Sequence, residues 1–112
     1  MNVPNLFEPT QLETDVLALI RQRESGGTYN VLCGGGTFDN YSTFPNWKGF
    51  RNSHAAGAYQ FEPATWQWVS SMTHVPDFSP LAQDICALWL LRQYGPNSSV
   101  TWQASGPYPE TK

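Results

Sequence analysis

The segment from Asp77 to Pro96 constrains this chain more than any other. Asp77-Phe78-Ser79-Pro80 is a helix start: Ser79 is a capping residue, and Pro80 takes the first helical position, where a backbone N–H would have no helical partner. Gly95-Pro96 is the matching stop. Between them Leu81, Ile85, Leu88, Trp89 and Leu91 form an apolar face too wide for a helix lying on a surface. The helix is therefore expected at the centre, with the rest of the 112-residue chain folded around it as a single domain, residues 1–112.

Two other helical patterns flank it. Thr10-Gln11-Leu12-Glu13 is a capping box, and Leu12, Val16, Leu17 and Ile20 follow at helical spacing. Gly26-Gly27 closes that helix, expected over about 10–25, and Pro63 marks the first turn of another. The intervening stretch changes character. Tyr29, Val31 and Leu32 suit a short strand, Gly34-Gly35-Gly36 a turn, and Phe38 to Phe44 a returning strand, which together predict a small β-hairpin lobe. Residues 1–9 read as an extended arm, Pro45 to Asn52 as loop, and 97–112 as an ordered loop or tail pinned by Trp102 and Tyr108. The predicted class is α+β, a mainly helical lobe and a hairpin lobe.

Composition narrows the functions. A hydrophobic share of 40% against 13% charged residues excludes a disordered chain. A net charge of −3 gives no electrostatic hold on nucleic acid or on an anionic membrane. The apolar run from Ile85 to Leu91 is too short for stable membrane insertion, and Met1 to Asn5 lacks the basic and apolar regions of a signal peptide. The five Trp and five Tyr suit carbohydrate stacking, although most are expected to fill the core. Cys33 and Cys86 read as buried free thiols, with pairing left open. His54 and His74 are isolated, so neither a metal nor a cofactor is expected.

Most carboxylates have local explanations. Glu13, Asp15 and Asp84 are expected in first turns and Glu62 ahead of Pro63, where the helix dipole favours them. Asp77 belongs to a turn, and Glu8 and Glu110 to terminal segments. Glu24 and Asp39 remain. Glu24, in Arg23-Glu24-Ser25-Gly26-Gly27, stands at the negative end of a helix, which favours its protonated form. A carboxyl kept protonated near neutral pH is what cleavage of a glycosidic bond requires. Arg21 and Arg23 act in the opposite sense, and a solvated surface glutamate is the alternative reading. Asp39 is either a second carboxylate, holding a water or a sugar hydroxyl, or a turn residue bonding its own backbone.

The motifs then fall into a known order. Glu24-Ser25-Gly26-Gly27, Tyr29-Asn30-Val31, Phe38-Asp39-Asn40-Tyr41-Ser42-Thr43-Phe44-Pro45, Ala56-Gly57-Ala58-Tyr59-Gln60-Phe61 with Trp66, and Asp77-Phe78-Ser79-Pro80 with Gln83-Asp84 resemble the phage lambda-type endolysins, lytic transglycosylases of the lysozyme superfamily. Glu24-Ser25 with Gly57-Ala58-Tyr59-Gln60-Phe61-Glu62-Pro63-Ala64-Thr65 is also similar to the motif pair of bacterial soluble lytic transglycosylases. The resemblance covers about residues 15–94. It implies a lysozyme-like fold with a cleft between the lobes and Glu24 as the catalytic acid. It places Tyr41 and Ser42 on the hairpin wall, Tyr59 and Gln60 on the cleft floor and Tyr108 near the cleft, all as substrate-binding residues.

What the resemblance implies chemically is cleavage of the MurNAc-GlcNAc β-1,4 bond of peptidoglycan glycan strands to 1,6-anhydro-muramic products. The alternatives are a hydrolytic muramidase, with Asp39 activating water, and a non-catalytic peptidoglycan-binding or virion module. A phage protein of this kind is expected to be made in the host cytoplasm without a signal peptide and to act on the wall in the periplasm, with a holin or virion proteins as partners. Relatives carry more helical sequence after the segment that ends here at Gly95, so one cleft wall is expected to be thinner or supplied by another chain.

Overall fold

The computed structural model describes residues 7–45 and 54–112. Among these residues three helices form in order, α1 (Gln11–Ser25), α2 (Pro63–Thr73) and α3 (Pro80–Tyr94), followed by a 3-10 turn at Gln103–Ser105. Each begins where its local chemistry requires. Thr10 Oγ1 accepts from the Glu13 N–H at 3.1 Å while Glu13 Oε1 accepts from the Thr10 N–H at 2.8 Å, so two amides without helical partners are bonded reciprocally. Ser79 Oγ accepts from the Ala82 N–H at 3.2 Å, and Pro63 and Pro80 occupy first turns. Gly26, at φ 69°, ends α1 in the left-handed region.

α3 is the central helix, packed on both α1 and α2. Ile85, Cys86, Ala87, Leu88, Leu90 and Leu91 are all buried, so apolar contact covers most of its circumference. Leu81 on α3 and Leu12 on α1, expected inside, are exposed, and Trp89 is half-buried. The first two stand in the opening turns of their helices, where Glu13 and Ala82, one position further on, take the buried side.

Glu13 has a second role besides the cap. Arg92 on α3 reaches it with a two-pronged bond, Nε to Oε2 at 2.8 Å and Nη2 to Oε1 at 2.9 Å, and joins α1 to α3. These Arg92 bonds are the main cause, with the Thr10 bonds adding to them, of a Glu13 carboxyl lowered from 4.5 to about 2 against the opposing effect of burial.

The hairpin lobe departs from expectation. Among the described residues no strand forms, and the region is held by isolated bridges pairing Val31 with Thr37, Leu32 with Ala56, and Ala56 with Phe61. Two features stop the ladder. Gly34, Gly35 and Gly36 all have positive φ, which curls the chain away directly after the first pairing. Phe38 and Phe44 also turn inward, with ring centroids 5.7 and 5.0 Å from that of Phe78, so the return segment serves the core. Most of the loop expected at Pro45 to Asn52, and the first six residues of the arm, lie outside the described residues.

Phe78 is the hub of the core, with the Trp66 ring edge-to-face at 4.5 Å. Beside it runs the Gly57–Phe61 loop, which permits only glycine at its start. Gly57 has φ +84°, and a Cβ there would collide with Gln83 Oε1 and stand 2.8 Å from Phe78 Cζ. Gly57→Ala is expected to destabilise the fold by about 3 kcal/mol or more, from the left-handed backbone and the overlap together, as read by urea unfolding. Glu13→Gln is expected to cost about 1–2 kcal/mol at neutral pH. The sign follows from the lowered carboxyl: its contribution is complete above pH 4.5 and disappears as pH falls through about 2, so the gap between variant and wild type closes over that window in a pH series of unfolding midpoints.

Candidate active site

Glu24 projects from the last turn of α1 into a cavity of about 480 Å³. The floor comes from the Tyr59–Phe61 segment, one side from the start of α2 with Thr65 and Trp68, and the other from Ser99 to Trp102. The C-terminal chain therefore supplies one wall of the cavity.

That segment also holds the acid. Ser105 Oγ donates to Glu24 Oε2 at 2.9 Å, and the Tyr108 hydroxyl lies 2.6 Å from the same Ser105 oxygen. Arg23, next to Glu24 on α1, donates to the carbonyls of Ser105 (3.2 Å) and Pro107 (2.8 Å) and lies 4.7 Å above the Tyr108 ring. Asn97 bonds the Tyr108 backbone in both directions, each at 2.8 Å. Burial raises the Glu24 carboxyl above its ordinary value, and the Ser105 bond pulls part of the way back. The two arginines expected to oppose that rise are engaged elsewhere: Arg23 with the C-terminal segment, and Arg21 with the Tyr59 hydroxyl at 2.9 Å.

The other expected site residues divide. Gln60 lines the cavity, held at φ 53° with its Nε2 donating to the Gly57 carbonyl at 2.9 Å. Tyr59 also borders it, but the residue is only 1% exposed. Its hydroxyl donates to Asp84 Oδ1 at 2.6 Å and its carbonyl accepts from Trp102 Nε1 at 3.1 Å. Tyr59 thus acts as an anchor under the floor, and burial pushes its phenol well up from the usual range. Tyr108, 5% exposed, faces Ser105. Asp39, Tyr41 and Ser42 stand outside the cavity lining. Tyr41 packs edge-to-face on Phe38 at 5.2 Å and its carbonyl accepts from the Phe78 N–H. The local turn is made by Asn40, whose Oδ1 accepts from both the N–H and the Oγ of Ser42.

Several residues with consequences for the site were not foreseen. Glu62, assigned only to a helix end, shares the cavity with Glu24. Asp84, assigned to a first turn, sits deeper in α3 and accepts from Tyr29 and Tyr59, each at 2.6 Å, with Arg21 4.0 Å away. Asp15 is likewise past the first turn, where it accepts from Gln11 at 2.8 Å. The cysteines are free: Cys86 is buried beside Thr73, its thiol pushed up to about 12, whereas Cys33 is half-buried. Among the described residues no group of His, Cys, Asp and Glu is placed to hold a metal ion.

The chain belongs to the endolysin family, whose model matches residues 14–104, and its fold is lysozyme-like. Two solved structures of lysozyme from bacteriophage lambda, one of them complexed with a chitohexasaccharide, are similar at TM-score 0.71 and 27% identity over 80% of this chain. The chain spans 66% of the length of each. No curated protein sequence matches it.

A buried acid at such a site opposes stability once ionised. The sign is that of a raised carboxyl: full stability holds below its unfolded value and falls as pH rises through the folded one. Glu24→Gln is accordingly expected to melt at a higher temperature than wild type at neutral and alkaline pH, with the difference narrowing on acidification, as measured by thermal unfolding across a pH series.

Proposed function

We propose that this endolysin is a peptidoglycan lytic transglycosylase that cleaves the MurNAc-GlcNAc β-1,4 bond with Glu24 as its acid. The observation that supports this most is the Glu24 carboxyl itself: half-buried at a rigid helix end, open to the cavity and raised by desolvation. Protonated Glu24 donates to the glycosidic oxygen as that bond breaks and positive charge develops on the muramic anomeric carbon. The carboxylate left behind takes the proton of the muramic C6 hydroxyl, whose oxygen closes on the anomeric carbon. The product is a 1,6-anhydro sugar, Glu24 ends protonated, and no water is consumed.

Hydrolysis of the same bond is the second reading. It needs a carboxylate to activate water, typically about 6.5–9.5 Å from the acid in an inverting enzyme. Glu62, which borders the same cavity, supports it, whereas Asp39 lies outside the lining. The polymer would be reached in the periplasm, with a membrane-pore partner or from a virion. The chitohexasaccharide complexed with the lambda lysozyme supports a glycan as the substrate.

The test is mass spectrometry of the soluble products from purified sacculi. Wild type is expected to release muropeptides ending in 1,6-anhydro-muramic acid, and Glu24→Gln to lose about 10²- to 10⁴-fold in rate. Reducing-end muramic acid would select hydrolysis and bring Glu62→Gln into the comparison. Binding to sacculi without release of products would make the protein a wall-binding module.

A further inference from the structure

A hydroxyl carries a single proton, and at Ser105 three oxygens compete for it. Glu24 Oε2 lies at 2.9 Å, the Trp102 carbonyl at 3.2 Å and the Tyr108 hydroxyl at 2.6 Å. A carboxylate is the strongest acceptor of the three. With Ser105 donating to Glu24, the short contact to Tyr108 has a defined polarity: the phenol donates and the Ser105 oxygen accepts. Tyr108, Ser105 and Glu24 then form a directed chain that ends on one oxygen of the acid.

We propose that Ser105 is a positioning residue for the reaction, which keeps Oε2 of Glu24 as a hydrogen-bond acceptor so that the transferable proton resides on Oε1. The inference rests on Glu24 being the acid. It also explains why the segment is tied down so heavily. Arg23 fixes the carbonyls of Ser105 and Pro107, and Asn97 fixes both backbone groups of Tyr108. The anchor sets the hydroxyl's position against α1, and the hydroxyl sets the carboxyl plane. When Glu24 is protonated on Oε1, Oε2 is still a carbonyl-type acceptor, so the Ser105 hydroxyl remains bonded to it through the cycle.

The test compares kcat, KM and pH profiles on soluble, uncross-linked glycan strands for wild type, Glu24→Gln, Ser105→Ala, Ser105→Thr and Tyr108→Phe. Loss of the bond from Ser105 to Glu24 is expected to lower kcat about tenfold while KM changes less than about twofold. The basic limb of the profile, where the acid loses its proton, is expected to move to higher pH in Ser105→Ala, because the donor that favours the carboxylate is gone. Ser105→Thr, which keeps the hydroxyl, should restore both. Tyr108→Phe should move kcat and the limb in the same directions by less, and it carries the test if the alanine variant does not fold.

A Ser105→Ala enzyme with the wild-type kcat and profile, or with lowered kcat and an unmoved limb, would overturn the inference while an inactive Glu24→Gln left the functional reading standing. An active Glu24→Gln would overturn both.

Discussion

The side-chain amide of Gln83 is the constraint on which the site depends. It is 0% exposed, in the middle of the core. Its Oε1 accepts from the Ala58 N–H at 2.8 Å, and its Nε2 donates to the Phe78 carbonyl at 2.8 Å and the Tyr29 carbonyl at 3.3 Å. A buried amide without partners is costly, and one whose partners come from three segments fixes those segments to one another. Asp84, the next residue, receives the hydroxyls of Tyr29 and Tyr59. Two adjacent residues of α3 therefore position the 57–61 loop from beneath. Gly57 is the corollary, since the loop approaches Gln83 and Phe78 so closely that no Cβ fits.

The acid is placed by a second, independent closure. α1 is fixed to α3 at one end by Glu13 and Arg92, and at the other it presents Glu24 to the returning C-terminal chain. Arg23 and Glu24 divide the work there: one anchors the segment, and the other receives its hydroxyl. Consecutive residues of a helix point about 100° apart, which allows one to grip the wall from outside while the next faces the cavity. The partial burial that raises the Glu24 carboxyl works against stability once that group is ionised.

Much of the helical frame was legible because its signals are local. Thr10 and Glu13 are three positions apart, Ser79 caps Ala82, and Pro63, Pro80 and Gly26 act through their own φ. The preference of residue types for a strand was less reliable. It suggested strands at Tyr29–Leu32 and Phe38–Phe44, but the glycine triplet turned the chain too sharply, and burying Phe38 and Phe44 against Phe78 outweighed ladder formation. Tyr59 was placed in the right segment, but its burial was not legible, because a tyrosine's neighbours decide how far its ring is drawn into the core.

By itself the sequence determined the starts of the three helices, the ends of the first and third, and the position of Glu24 at the end of the first. These depend on interactions that span a turn or two of chain. Tertiary structure decided what surrounds that acid. Ser105 meets Glu24 across 81 positions, and Trp102 meets the Tyr59 carbonyl across 43. Such pairs leave no periodicity and no spacing to read, since each residue alone is an ordinary serine or tryptophan in a loop. They acquire a role only when the core closes, and the direction of the proton on Glu24 depends on that closure.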